Sequence, residues 1–71
     1  MAIGKYFLLC EAGKRGGFGP YVGFDAGFQM AMMADRSDAK RYLERADAEA
    51  DSATLSAKFG PLEIEERVGV V

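Results

Sequence analysis

The chain has 71 residues, of which 49% are hydrophobic and 28% are charged, and its formal net charge is −2. This composition is typical of a globular protein and argues against disorder, and the length predicts a single domain over residues 1–71. One cysteine and no histidine exclude an intrachain disulfide and the usual zinc sites. A homodimer or a larger partner is therefore expected to supplement the small core.

Charge is distributed unevenly along the chain. Residues 1–34 carry three basic and two acidic groups, whereas residues 35–71 carry six basic and nine acidic groups. Nucleic-acid binding normally shows as a basic stripe, so nucleic acid is the less favoured partner. The apolar run at residues 6–9 is too short for a signal peptide, and no apolar run is long enough to span a bilayer. We therefore expect a cytoplasmic protein without a membrane contact.

The first predicted element is a central strand over residues 5–11, because its aromatic and branched side chains fall on both faces. Cys10 lies within it and has no histidine to activate it as a nucleophile. We interpret Cys10 as a small apolar filler. Residues 21–24 predict a second, short strand, and residues 25–27 predict a turn.

A glycine-rich segment at residues 12–20 separates these strands and predicts a loose hairpin connection. Its spacing fits neither the P-loop nor the dinucleotide-binding fingerprint, so we interpret it as a turn with solvated charges. The alternative is a nucleic-acid or nucleotide site, where basic side chains meet phosphates and an aromatic ring stacks on a base. That loop site would consist of Lys14, Arg15, Phe18 and Tyr21.

Residues 28–33 suit either a strand or the start of a helix. The alternation that places Phe28, Met30 and Met32 on one face favours a strand. Methionine and alanine are also good helix formers, so the helix stays open as an alternative. The methionines serve either as core filler, which we favour, or as an adaptable apolar contact surface.

Helical spacing dominates from Asp35 to the stop signal at Gly60 and Pro61. Asp35 and Asp38 form a start that resembles a capping box, and residues 43–45 are a candidate kink between a short helix and a longer one. The predicted buried seam consists of Ala39, Tyr42 or Leu43, Ala46, Ala50, Ala53 and Ala57. A second line of larger side chains consists of Ala48, Leu55 and Phe59.

Residues 62–68 predict an edge strand with Leu62 and Ile64 facing inward, since charged residues alternate with them. The charged residues expected to face water are Glu63, Glu65 and Arg67. Glu66 falls on the inward side, which marks either the rim of the sheet or a bulge. Together the elements predict an α+β fold of about three antiparallel strands, roughly ββαβ, with the helical segment packed across one face.

Four acidic side chains of the helical segment form what we call the acidic face: Glu44, Asp47, Glu49 and Asp51. Three of them follow the i, i+3, i+7 spacing of one helix side. Such a face is either a solvated surface, which we favour, or a dock for a basic partner, where charge complementarity raises association rate and specificity. Helical carboxylates alone seldom converge on one hard cation, so no metal site is predicted.

Residues 35–42, with the sequence Asp-Arg-Ser-Asp-Ala-Lys-Arg-Tyr, and residues 45–50, Arg-Ala-Asp-Ala-Glu-Ala, resemble a type of small protein encoded by bacteriophages and prophages. The resemblance implies a hairpin, a helical segment and a final strand after a glycine. Many such proteins are uncharacterised, and others inhibit host or defence proteins, as anti-CRISPR proteins do. The resemblance therefore implies action in the cytoplasm of a host bacterial cell, and it assigns no functional residue.

From these observations we predict a non-enzymatic protein, without a cofactor, that binds and inhibits a host or defence protein through the acidic face. The alternative is a nucleic-acid or nucleotide-binding accessory protein that uses the glycine-rich segment. An enzyme has the least support, because no carboxylates or tyrosines form a recognisable acid–base pair in the sequence.

Overall fold

The computed structural model describes residues 2–13 and 19–70. Within them the chain forms four strands and one α-helix: β1 (Ile3–Glu11), β2 (Tyr21–Phe24), β3 (Met30–Met33), α1 (Arg45–Phe59) and β4 (Leu62–Val70). The strands build one antiparallel sheet in the order β3-β2-β1-β4. The α+β class is confirmed, whereas the expected three strands in a ββαβ order are wrong, because β2 and β3 form separate strands of one hairpin.

Strand β1 lies inside the sheet and is covered on both faces, as predicted. Phe7 and Leu9 face α1 and form one core cluster with Val22. Leu8 and Cys10 face the other side and form a second cluster with Tyr21. Because side chains alternate along a strand, the four-residue apolar run fills both clusters at once.

The prediction that the chain is helical from Asp35 onward is wrong for the segment directly after β3. This segment contains only a short 3₁₀ turn at Arg36–Asp38. After that turn the chain runs extended and enters the sheet between the diverging ends of β1 and β2. Tyr42 exchanges two backbone hydrogen bonds with Phe7, at 2.7 and 2.9 Å, and the amide of Lys40 donates to the carbonyl of Val22 at 2.9 Å. These non-local bonds satisfy the backbone groups that a helix would otherwise pair locally.

Helix α1 begins at Arg45 and ends at Phe59, where the predicted stop signal is confirmed. The amide of Gly60 donates to the carbonyl of Ser56 at 2.9 Å, and Gly60 has a φ of 82°, which favours glycine. The predicted alanine seam is wrong in the helix, because Ala46, Ala50, Ala53 and Ala57 are exposed. Ala48, Leu55 and Phe59 contact the core instead. They share the side of α1 that faces the sheet, and the two larger side chains, Leu55 and Phe59, add apolar area to this contact.

The hairpin of β2 and β3 confirms the strand prediction for Met30–Met33. Met30 and Met32 pack against the α1 side of the core, as expected of core filler. Phe28 lies in the hairpin turn instead of the strand, with a φ of 60° and an exposed fraction of 87%.

Strand β4 pairs with β1 in one continuous register from Glu11–Leu62 to Ile3–Val70. The continuous register means that Glu66 does not lie in a bulge, and its exposed carboxylate meets Lys5 at 3.7 Å. The prediction that Glu65 faces water is wrong. Glu65 is only 4% exposed, because it lies opposite Leu8 on the face where the second core cluster packs.

Candidate interaction surface

The acidic face begins where the extended segment turns into α1. Glu44 is the N-cap residue of α1, and its carbonyl accepts the amides of Asp47 and Ala48 at 3.2 and 3.3 Å. Its side chain makes no cap hydrogen bond and is exposed. Negative charge at this end is favoured by the helix dipole, so Glu44 and Asp47 are placed where an isolated carboxylate costs the helix least.

Asp51, one turn further along α1, is held by neighbouring side chains. Its Oδ2 accepts a hydrogen bond of 2.6 Å from the hydroxyl of Tyr42 and lies 3.4 Å from Nζ of Lys40. Burial of the phenol, followed by the hydrogen bond and the charge of Asp51, raises the pKa of Tyr42 well above its ordinary value. Asp51 therefore has a structural role in joining α1 to the segment before it.

Glu49 lies on a different side of α1 from Asp47 and Asp51. Its Oε1 accepts from Nε of Arg45 at 3.1 Å, an i, i+4 ion pair in which both side chains are exposed. Glu49 and Arg45 border a groove between α1 and β4 with a volume of about 600 Å³. The acidic face predicted as one surface is thus divided between two sides of the helix.

The remaining part of the acidic face is a compact exposed surface, which we call the acidic turn: Leu43, Glu44 and Asp47. No ion pair between the described residues involves Glu44 or Asp47. Leu43 beside them is 63% exposed. Leu43 and Asp47 border a second groove, of about 430 Å³, which is also lined by Tyr42, Ala50, Asp51 and the basic residues Lys40 and Arg41. An exposed apolar side chain next to two exposed carboxylates suits a partner that offers cations beside an apolar contact.

A polar cluster that the sequence did not reveal lies on the sheet face away from α1. The hydroxyl of Tyr21 donates to Oε1 of Glu65 at 3.3 Å and accepts from Nε of Arg36 at 3.3 Å. Arg67 donates to Oε2 of Glu65 at 3.4 Å, and Nε of Arg36 lies 3.8 Å from the same oxygen. The hydrogen bond with Tyr21 raises the pKa of Arg36. The sequence does contain a signal for this cluster. Leu8 and Cys10 are apolar and face away from α1, so that face of the sheet must also be covered, and Glu65, which lies opposite Leu8, is buried with it.

The alternative loop site is only partly within the described residues. Lys14, Arg15 and Phe18 lie outside residues 2–13 and 19–70. Tyr21 is buried, and its hydroxyl belongs to the cluster with Glu65. In this position its ring is not accessible for stacking on a base.

Among residues 2–13 and 19–70, no three acidic or cysteine side chains converge where they could hold a metal ion. In the same part of the chain, α1 is too short and too polar to cross a membrane, and no other α-helix occurs.

Comparison with known proteins assigns no family to this chain. No family model, curated protein or solved structure matches it. The resemblance of residues 35–42 and 45–50 to phage-encoded proteins stays a prediction.

Proposed function

We propose that this protein binds another protein, and that the acidic turn is its contact surface. The main support for the proposal is that the carboxylates of Glu44 and Asp47 are exposed and form no ion pair among the described residues. The exposed side chain of Leu43 lies beside them. The fitting partner has a basic surface with an apolar contact at its centre. Charges of opposite sign steer such a partner and fix its orientation.

The acidic turn is suited to docking because it is held in place from behind. Asp51 and Tyr42 join the first turns of α1 to the sheet, and Leu43 and Glu44 leave the sheet directly from Tyr42. A surface fixed in this way loses little conformational freedom on binding, which favours affinity.

The protein acts by binding, without catalysis. The burial of its close pairs of ionisable groups supports this part of the proposal, because Tyr21, Tyr42 and Glu65 are buried away from a substrate. The pairs are Tyr42 with Asp51, and Glu65 with Tyr21 and Arg67. Bound to one another in this way, they stabilise the fold.

The phage resemblance suggests that the partner is a host or defence protein. The chain would inhibit this partner, in the manner of an anti-CRISPR protein, by occupying a basic surface that otherwise binds nucleic acid. The order hairpin, helix, glycine and final strand is the order that the resemblance implies, and this supports the proposal. The Ala-Lys-Arg-Tyr start that the resemblance assigns to the helical segment departs from it, because residues 39–42 are extended and the helix begins at Arg45. The site of action would then be the cytoplasm of the host bacterium.

The test is affinity capture from nuclease-treated bacterial lysate with three tagged baits: the natural chain, Glu44→Lys/Asp47→Lys, and the control Glu11→Lys/Asp35→Lys. The control reverses two exposed carboxylates away from the acidic turn. Mass spectrometry should find one protein in stoichiometric amount with the natural and control baits and not with the Glu44/Asp47 variant.

Equal recovery with all three baits would show that the acidic turn is not the contact. Recovery of the natural bait alone, joined by nucleic acid only when the nuclease is omitted, would contradict protein binding in that host. The nucleic-acid alternative would then be favoured.

A further inference from the structure

Strand β4 is an edge of the sheet, because among the described residues it pairs only with β1. The amide of Ala12 donates to the carbonyl of Pro61 at 3.1 Å, so these two residues are a hydrogen-bonded pair. From there along β1 and β4, non-hydrogen-bonded and hydrogen-bonded pairs alternate. By that alternation, the odd-numbered residues of β4 direct their backbone groups toward β1. Five residues direct theirs away from the sheet: Leu62, Ile64, Glu66, Val68 and Val70. The carbonyl of Val70 already accepts a hydrogen bond from Nη1 of Arg41 at 2.8 Å, so Arg41 must release or share this carbonyl when another strand pairs at that end.

The same five residues point their side chains to the α1 side of the sheet, since Leu62 and Ile64 pack against that core cluster. The helix covers only the first part of this row. Beyond it, Val68 is 66% exposed and Val70 is 44% exposed, and Ile3, which pairs with Val70, is 69% exposed. These three residues form an exposed apolar patch at the far end of a two-stranded ribbon.

Next to the covered end of β4, the groove of about 600 Å³ separates the strand from α1. Its helix wall carries the small side chains of Ser52, Ala53 and Ser56, and its strand wall includes Leu62 and Ile64. The groove therefore offers a helix wall of small, mostly polar side chains, an apolar strand wall at Leu62 and Ile64, and space for extra side chains beside the edge.

We propose that the occupant of this edge is a second copy of the chain, paired antiparallel through β4 with Glu66 opposite Glu66 of the second copy. In this register Ile64 lies opposite Val68, and Leu62 lies opposite Val70. On the other face Glu65 lies opposite Arg67. Each pair occurs twice by symmetry, so an isologous interface follows from one strand sequence.

Neighbouring registers that keep side chains on the correct faces are less compatible. A shift by two residues in one direction places Ile64 opposite Glu66. A shift in the other direction places Arg67 opposite Arg67 of the second copy and Glu66 opposite Val68. Both put charge against apolar side chains or against like charge, which opposes pairing. In the proposed register only the central Glu66 pair repels, and Lys5 beside each Glu66 offsets that repulsion.

The proposed dimer also accounts for the patch and the groove. Its two-fold axis places both helices on one face of an eight-stranded sheet, with the covered end of each β4 beside the exposed end of the other. Val68 and Val70 of each copy then enter the groove between α1 and β4 of the other copy. This inference does not depend on the proposed function, because the acidic turn is not part of the interface.

The first test is sedimentation equilibrium of the purified chain, whose mass is 7.7 kDa. The natural chain should approach twice that mass as its concentration rises. Val68→Lys should stay at the mass of one chain, whereas the matched control Phe28→Lys, an exposed apolar residue at the β2–β3 turn, should behave like the natural chain. Val68→Pro should also be monomeric, because it removes an amide that points away from β1. A natural chain that stays monomeric at millimolar concentration would overturn the proposal.

The second test fixes the register by oxidative cross-linking of single-cysteine additions. Glu66→Cys places two thiols directly opposite each other, within the Cα separation that a disulfide accepts. It should form a covalent dimer rapidly. Val68→Cys pairs with Ile64 in this register and should cross-link slowly with itself, although its side chain is exposed. Equal rates for the two variants would contradict the register, and the buried Cys10 should leave the natural chain uncross-linked.

Discussion

The hydroxyl of Tyr42 donates a 2.6 Å hydrogen bond to Oδ2 of Asp51, and this bond joins the sheet to the helix. The backbone of Tyr42 is bonded to Phe7 in the sheet, so one residue is fixed to β1 by its main chain and to α1 by its side chain. The position of the acidic turn, which begins at the next residue, depends on this link.

Replacement of Tyr42 by Phe should lower the free energy of unfolding by about 1 kcal/mol, the usual net value of such a hydrogen bond. The raised pKa of Tyr42 adds a pH dependence. The unfolded chain releases this proton near its ordinary pKa of about 10, before the folded chain does. The contribution of this proton to the free energy of unfolding is therefore complete below about pH 10. It is lost as the pH rises toward the pKa of Tyr42 in the folded chain. Denaturant unfolding at several pH values should show this fall for the natural chain.

The same series for Tyr42→Phe should show a weaker fall above pH 10, since the variant lacks the proton concerned. Identical slopes for the two chains would mean that Tyr42 does not bring this pH dependence.

Gly23 should not tolerate a side chain. A Cβ at this position would collide with the carbonyl oxygen of Asp38 and come within 2.8 Å of Cγ of Met33. Gly23→Ala should therefore destabilise the chain by roughly 2 kcal/mol, through forced backbone shifts. Chemical denaturation measures the loss, with Gly27→Ala as control. A Cβ at Gly27 would lie 3.4 Å from Asp25, so a change below about 0.5 kcal/mol is expected there.

The carboxylate of Glu65 should contribute more to stability than exposed carboxylates do. It accepts hydrogen bonds from Tyr21 and Arg67 while almost fully buried. Glu65→Ala should cost about 2 kcal/mol, because hydrogen bonds to a charged group are the stronger ones. Glu49→Ala, which breaks an exposed i, i+4 pair with Arg45, should cost about 0.5 kcal/mol or less. Equal losses for the two variants in thermal unfolding would contradict this role.

Phe28 is a bulky residue in the left-handed region, with a φ of 60°. Asp25 holds the turn by accepting the amides of Gly27 and Gln29 on its side chain, at 2.8 and 3.0 Å. Phe28→Gly should stabilise the chain by about 1 kcal/mol, since the left-handed conformation costs an L-residue roughly 1–2 kcal/mol. Phe28→Ala keeps that cost and should give no gain. A loss of stability with glycine would show that the exposed ring makes a stabilising contact.

The sequence predicts well those features that depend on local patterns. The apolar run at residues 6–10 identifies β1 as a central strand, and Gly60 with Pro61 ends the helix at the predicted place. Both signals act within a few residues of their effect, through side-chain alternation and backbone conformation.

The features that the sequence misses depend on distant partners. Residues 39–42 have helical spacing but pair with Gly23 and Phe7, and local propensity yields to those bonds. The alternation of β4 correctly places Glu65 on the face opposite Ile64, yet that face is covered, as the register with β1 shows. The engagement of Asp51 has the same kind of cause, since Tyr42 and Lys40 bind it, whereas the separation of Glu49 from Asp47 follows from helix geometry alone.

If the acidic turn binds a basic protein surface, the dissociation constant of the captured partner depends on the charges of Glu44 and Asp47. Isothermal titration calorimetry should be run with the natural chain, Glu44→Lys/Asp47→Lys and Glu11→Lys/Asp35→Lys at low and high salt. Only the Glu44/Asp47 variant should weaken binding, by about tenfold or more, or about 1.4 kcal/mol, and salt should reduce the difference. An unchanged dissociation constant for that variant would contradict binding through the acidic turn.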